Sequence, residues 1–329
     1  MEKELFDNDS PLSWKFSHVW NKSLETREER EMKPRDYIWA SELGGSMIDR
    51  YLKMKAIKPT NPPNARSLRK FEAGNIWEWL IGLILRQAGI LLNTQEWLRY
   101  QYPDLISVTG KLDMLAGGQP DYDKAINSLK ALILPEVIER GAADILKYLI
   151  GMYPNGLKNI VLEIKSVSSF MFERYEKIQK ANNNHRMQLF HYLKSKGMDE
   201  GHVIYICRDD CRMMEIEINN PGEVENEYKA DISMLTEYTR ANQEPPHEKE
   251  ILWDEDENNF SKNWKIEYSN YLTMLYGYKQ PDEYADKVSK KIGSWNRVVE
   301  RIKSKKKMTK KNLEIIDEIK KEFPTFKTK

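Results

Sequence analysis

Asn159-Ile160-Val161-Leu162-Glu163-Ile164-Lys165-Ser166 is an apolar run interrupted by two opposite charges one residue apart. Its length and its branched residues predict a buried strand over 159–166. Strand side chains alternate between faces, so Glu163 and Lys165 share one face while Ile164 points the other way, into the core. A carboxylate and an ammonium set beside a core are costly unless they pair or bind a metal. Glu-x-Lys recurs at Glu31, Glu227 and Glu318, but there in charged or helical surroundings where a solvated pair suffices.

Two neighbouring stretches extend the pattern. In Val108-Thr-Gly-Lys-Leu-Asp113-Met-Leu-Ala-Gly117, Asp113 intrudes between Leu112 and Met114, again in an apolar strand. In His185-Arg-Met-Gln188-Leu-Phe-His-Tyr192-Leu193, Gln188 and Tyr192 stand four residues apart and share a helix face. Clustered carboxylate oxygens suit a hard cation such as Mg²⁺ or Mn²⁺. A lysine beside them can hold or deprotonate a water, or offset charge developing on a phosphate. Each piece has a plainer reading, an edge salt bridge for Glu163–Lys165 and a core aromatic for Tyr192.

The remaining chain reads as follows. A helix is expected from Ser41 as N-cap to about Met54, then a Pro-rich linker at 57–65. A long helix over 66–88 carries Leu68, Phe71, Ile76, Trp79, Leu80, Leu83 and Ile84 at helical spacing, ended by Gly89. Short strands are expected at 94–101, 104–109 and 111–116, with turns at Pro103-Asp104 and Gly110. Helix returns over 121–150, with Leu132, Ile133, Val137, Ile138, Ile145 and Leu149 as core contacts, and one helix is expected over 172–196. Strands 202–207 and 212–218 form a hairpin around Cys207 and Cys211. Beyond Pro221, helices are expected over 222–241, 261–276, 281–304 and 309–322, with an acidic loop at 243–259. The order implies an α/β fold, a mixed sheet with helices on both faces.

Together, Gly110-Lys-Leu-Asp113, Glu163-Ile-Lys165 and Gln188-Leu-Phe-His-Tyr192 resemble the PD-(D/E)XK nuclease superfamily, in the family's order. Within it the chain looks like the RecB-like branch of CRISPR-associated and phage recombination exonucleases. The resemblance covers roughly residues 40–220. It implies a restriction-endonuclease-like core, with helical N- and C-terminal extensions, and Mg²⁺- or Mn²⁺-dependent DNA hydrolysis, an exonuclease being the expected form. It also implies roles. Asp113 and Glu163 would hold the metal, completed by the Ile164 carbonyl, and Lys165 would position and activate the water. Gln188 and Tyr192 would steady the lysine and contact the DNA backbone. The family's first motif matches Phe71-Glu-Ala-Gly74-Asn-Ile-Trp77-Glu78, with Trp77 where relatives often have a metal-binding histidine. Glu78 would hold a metal-bound water or a second ion; the plainer reading is a solvated helical glutamate.

The chain departs from the family twice. Many relatives hold an iron–sulfur cluster through four cysteines, yet this chain has 2, neither in 41–52 nor in 264–278 where such sites would lie. No iron–sulfur cluster is expected; hydrophobic packing would tie the C-terminal helices to the first. Asp113 and Glu163 are also further apart than adjacent strands need, so 119–157 reads as a helical insertion, either a channel wall or a stabilising decoration. The implied organisation is a polar arm over 1–40, the nuclease core over 41–220 and a helical region over 221–329.

Composition narrows the alternatives. With 40% hydrophobic and 31% charged residues, the chain can bury a core but is neither disordered nor fibrous. No apolar run approaches the roughly 20 residues of a membrane span, since Ile76–Leu92 is broken by Glu78 and Arg86. The acidic opening MEKELFDNDS is unlike a secretory signal, and two cysteines make no disulfide framework; a soluble cytoplasmic protein is expected. Cys207 and Cys211 read as reduced thiols rather than half a zinc site. The net charge of +1 advertises no nucleic-acid binder, so DNA contacts rest on local sites. Arg66, Arg69 and Lys70 precede Glu78, and Lys305, Lys306 and Lys307 lie in a basic run that is either a solvated face or a phosphate contact. Two other classes stay open: a catalytically inactive nucleic-acid-binding or assembly protein on the same scaffold, and a helical interaction protein with a structural Glu163–Lys165 pair. A protein partner or homo-oligomer is also left open.

Overall fold

A computed structural model describes residues 32–121, 136–218, 221–255 and 258–326, with a few isolated positions besides. In chain order the elements are β1 (Tyr37–Trp39), a 3-10 turn (Ala40–Glu42), α1 (Met47–Met54), α2 (Ala65–Gln87), β2 (Leu91–Tyr100) and β3 (Ser107–Gly118). They continue with α3 (Glu136–Met152), β4 (Leu157–Val167), α4 (Ser169–Ile178), α5 (Asn183–Lys196), β5 (Gly201–Cys207) and β6 (Met213–Glu217). The last are α6 (Pro221–Ala241), β7 (Ile251–Asp254), β8 (Asn259–Lys262), α7 (Trp264–Glu267), α8 (Leu272–Tyr276), α9 (Pro281–Lys303) and α10 (Lys310–Glu322). No helix among the described residues is long and apolar enough to cross a membrane.

The chain forms two compact units whose boundaries do not follow sequence order. Among the described residues, one is built chiefly from 63–100 and 110–224 and the other from 33–62, 101–109 and 225–326. The first holds the central mixed sheet. β2 pairs with β3, β3 runs antiparallel to β4, β4 parallel to β5, and β5 antiparallel to β6. Helices cover both faces. On one, Leu162, Ile164, Ile204 and Ile206 join Met114 in a cluster with Ile81 of α2. On the other, α5 approaches so closely that a Cβ on Gly201 would lie 2.8 Å from Leu189 Cδ1. A side chain there would push the helix off the sheet.

The second unit has its own core, in which Trp295, Phe260, Phe323 and Phe326 stack with centroids 4.9–6.0 Å apart. In it, β1 pairs in parallel with the first residues of β3. Its first helix is tied to the 264–278 region by polar contacts as well as packing. Asp49 accepts from Ser269 Oγ at 2.8 Å and the Asn270 N–H at 3.1 Å, and the Tyr271 hydroxyl donates to the Ile57 carbonyl. The expectation named only hydrophobic packing for this tie; these hydrogen bonds add to it.

Several boundaries move. α1 starts at the Ser46 N-cap, whose hydroxyl accepts from the Asp49 N–H, not at Ser41, because Gly44 and Gly45 end the preceding turn. Gly110 makes no turn; it lies inside β3, so two long strands replace three short ones. The helix expected over 172–196 is two, broken where Gln179 turns left-handed (φ 48°) and Asn182 caps the next. Four of the seven residues of the α2 stripe face outward, Phe71, Ile76 and Trp79 at 58% exposure and Ile84 at 45%, while Leu68 and Leu83 are buried. The acidic loop contains β7, while β8 starts at its last residue and runs into the helix expected over 261–276, which is instead β8 followed by the short helices α7 and α8. In α3, Leu146 is the buried contact, with Ile145 and Leu149 half-buried. Leu132 and Ile133 lie outside the described residues, and nothing is described of the side chains of Val137 and Ile138.

Candidate active site

The sheet register brings the two acidic strands together. Met114 faces Leu162 and Leu115 faces Val161, so continuing the antiparallel ladder places Asp113 opposite Glu163. Asp113 Oδ2 accepts the Ile164 N–H at 2.9 Å, which locks the carboxylate against β4. Glu163 is fully buried, at 0% exposure, and Lys165, on the same face, is ion-paired to its Oε1. Neither carboxylate oxygen of Glu163 has a hydrogen-bond partner of ordinary geometry.

α5 supplies the next layer. Lys165 Nζ donates to Gln188 Oε1 at 3.1 Å, and Gln188 Nε2 donates to the Tyr192 hydroxyl at 3.1 Å. The lysine can only donate, so it fixes the Gln188 amide with its oxygen toward Nζ and its N–H toward the Tyr192 hydroxyl. With Gln188 7% and Tyr192 1% exposed, both act inside the protein. The expected contact of Tyr192 with DNA is not open to so buried a ring. His185, also on α5, has Nδ1 2.8 Å from the Tyr205 hydroxyl, and burial followed by the nearby Lys165 charge holds it well below the usual histidine range. The sequence reading passed over it.

Glu78 comes from α2, and it is no solvated helical glutamate. The Gln95 amide donates to its Oε1, and burial together with the Asp113 charge pushes it up to about 7. It lines a cleft of about 430 Å³ with Asn75, Trp79, Arg86, Thr94, Gln95 and Met114 among others. Glu163 is pushed up to about 8 by burial and then by Asp113 and Glu78, with Lys165 offsetting only part. Burial also raises Asp113, against the pull of Lys165 and the Ile164 N–H. Burial alone would depress Lys165; the carboxylates Glu163, Asp113 and Glu78 outweigh it and hold the ammonium above its ordinary range. Three carboxylates thus crowd Lys165, with Lys111 a further cation near Glu78, and all three are raised.

A cation would relieve that imbalance. The buried Glu163 oxygens without hydrogen bonds, beside Asp113, are the donor type that Mg²⁺ or Mn²⁺ takes. The three carboxylates are not drawn to one point. Among the described residues, the group of three acidic or histidine side chains whose ligand atoms all lie within 4.8 Å is Glu200, His202 and Glu217. It sits where β5 and β6 pair, with Lys158 on Glu200 and Glu215 on His202 Nδ1. These contacts account for it as an ion-pair cluster, and only the strand register reveals it.

The expected DNA contacts fall in separate places. Arg66, Arg69 and Lys70 occupy the first turns of α2, with Arg66 and Lys70 exposed. Lys305, Lys306 and Lys307 are exposed in the other unit, between α9 and α10. Cys207 is buried and Cys211 exposed, and the two are not disulfide-bonded.

Solved structures of similar course exist. The crystal structure of SSO0001 matches 80% of this chain and 96% of its own at 17% identity, with a TM-score of 0.45. LHK-Exo in complex with dAMP matches 68% of this chain and 97% of its own at 12% identity, with a TM-score of 0.36. The alkaline exonuclease LHK-Exo from Laribacter hongkongensis, in a second structure, matches the same shares at 12% identity with a TM-score of 0.30. No family model matches the chain, and no curated protein matches it.

Proposed function

We propose that this chain is a divalent-metal-dependent deoxyribonuclease with Asp113, Glu163 and Lys165 at its centre. The observation that carries the reading is the Glu163 carboxylate, fully buried, opposite a second acid and with no hydrogen-bond partner beyond its contact with Lys165. A structural ion pair would have its acceptor oxygens satisfied; this one is left short of positive charge.

Asp113 and Glu163 would hold Mg²⁺ or Mn²⁺, with the Ile164 carbonyl as a further oxygen donor. When bound, the ion would lower the pKa of a nearby water and neutralise charge on the scissile phosphate. Lys165, aimed by Gln188 and through it by Tyr192, orients that water and offsets charge on the phosphate oxygens. Arg66, Arg69 and Lys70 suit the DNA backbone. Lys70 is about two turns from Glu78, roughly 12 Å along the helix. Lys305, Lys306 and Lys307 supply a weaker, salt-sensitive contact.

The test is digestion of end-labelled linear, circular, single- and double-stranded DNA with Mg²⁺, Mn²⁺ or chelator. Cleavage that needs the ion and disappears in Asp113→Ala, with the melting curve kept, supports the reading. Ion-independent cleavage, or an unaffected variant, refutes it. DNA binding without cleavage in any ion would instead make the chain a non-catalytic scaffold. Mononucleotide release from linear DNA with circles spared identifies the exonuclease form.

A further inference from the structure

Gln95 lies in the middle of β2 yet has φ 54°, in the left-handed region that a residue with a side chain rarely enters inside a strand. Something must hold it there, and the neighbouring residues show what. Asn93 brackets the spot: its Oδ1 accepts from the Thr94 N–H at 2.8 Å and its Nδ2 donates to Glu96 Oε2 at 2.7 Å. Glu96 is anchored in turn by Lys196 of α5, whose ammonium lies 2.9 and 3.1 Å from its two oxygens. Thr94 Oγ1 donates to the Asp113 carbonyl at 2.9 Å. The Gln95 amide meets Glu78 Oε1. One local distortion of β2 therefore touches the backbone of one central acid and the side chain of another.

We infer that Gln95 is a positioning residue of this centre, its left-handed backbone aiming the amide that holds Glu78 toward Asp113 to help retain a divalent cation. The inference rests on the proposed metal role of Asp113 and Glu163. An extended residue 95 would send its side chain in a different direction, and Glu78, on a separate helix, would lose the donor that fixes its rotamer. Groups that orient metal-site carboxylates commonly govern affinity about tenfold or more without touching the ion.

The experiment is Mn²⁺ binding to the full chain, by electron paramagnetic resonance of the free ion, with thermal melting in parallel. Gln95→Gly accepts the left-handed backbone but lacks the amide. Its melting temperature should stay level or rise, while its Mn²⁺ affinity falls about tenfold. Gln95→Ala should lose affinity equally and also stability. In a Glu78→Gln background, Gln95→Gly should cost no further affinity, because the two act as one unit. Unchanged Mn²⁺ affinity in Gln95→Gly, or additive losses in the double variant, overturns the inference. Asp113→Ala is the control that separates the two levels. If it also binds Mn²⁺ normally, the centre itself has been misread; if it does not and Gln95→Gly does, only the role of Gln95 is wrong.

Discussion

Arg50 with Asp231, and Lys165 with Glu163, are both ion pairs taken out of water, but only the first is closed. Arg50 Nη1 and Nη2 reach the two Asp231 oxygens at 2.6 and 2.8 Å, and the guanidinium also donates to the carbonyls of Gly45 and Ser46. Asp231 accepts the Gly44 N–H besides. The guanidinium and the carboxylate are thus each held from more than one side. Around Glu163 the count does not close. Two more carboxylates crowd the same lysine, and beyond that one contact the buried Glu163 oxygens have no hydrogen-bond partner. A fold tolerates such a deficit when something supplied from outside can fill it. On the proposed reading, the difference between the two pairs separates charge used for architecture from charge kept for chemistry.

Crossing the two sites tests that separation most sharply. Glu163→Ala should abolish DNA cleavage, by about three orders of magnitude or more, and Mn²⁺ binding with it, while the chelated protein melts no earlier than the parent. Arg50→Ala should do the reverse. It leaves the half-buried Asp231 without its guanidinium, costing about 3 kcal/mol in urea denaturation, and leaves the Mn²⁺ affinity of the folded protein unchanged. If Arg50→Ala weakened Mn²⁺ binding as well, the two charge sites would not be independent.

Lys165→Ala should cut the cleavage rate roughly a hundredfold while Mn²⁺ binding survives, since the lysine acts on water and phosphate rather than on the ion. Single-turnover rates beside binding titrations resolve the two. A smaller effect is expected from pH. Glu163 lies at about 8 in the fold against an ordinary 4.5, so between those values the folded chain holds a proton that the unfolded chain has lost. Stability in chelator should therefore fall as pH rises from about 5 to 8. Glu163→Gln should flatten that slope without erasing it, because Glu78, at about 7, contributes in the same sense. Melting curves over the range measure it, and an unchanged slope would mean Glu163 ionises freely. The mildest change should follow neutralising Lys305, Lys306 and Lys307 together. DNA affinity should drop modestly and the logarithmic salt slope flatten by up to about 3, with saturated turnover intact.

The core of this arrangement was legible because its signals are local. Charges intruding on apolar strands, and Gln188 four residues before Tyr192, need no knowledge of neighbours. What escaped depends on backbone torsions or on register. Gln179 and Gln95 carry positive φ without being glycine, so nothing in their identity announces a helix break or a kinked strand. Gly110, read as a turn, sits in a strand because the ladder continues on both sides of it. Ile251–Asp254 and Asn259–Lys262 are too short to show alternation inside an acidic loop. Glu200, His202 and Glu217 meet only once β5 and β6 are paired, His202 directly opposite Glu217.

The break between α4 and α5 also bears on which length changes this protein can absorb. α5 takes its rotational setting from the Asn182 cap, whose N–H donates to the Tyr205 hydroxyl at 3.0 Å, and from His185 against the same hydroxyl. A residue gained or lost at 179–181 disturbs the Gln179 cap of α4 and the buried Ala181 but leaves the Asn182 cap of α5 able to re-form. One residue inserted between His185 and Gln188 would turn everything after it by about 100° and carry Gln188 away from Lys165. Two sites a few positions apart thus differ in kind: natural insertions should collect in the first and be purged from the second.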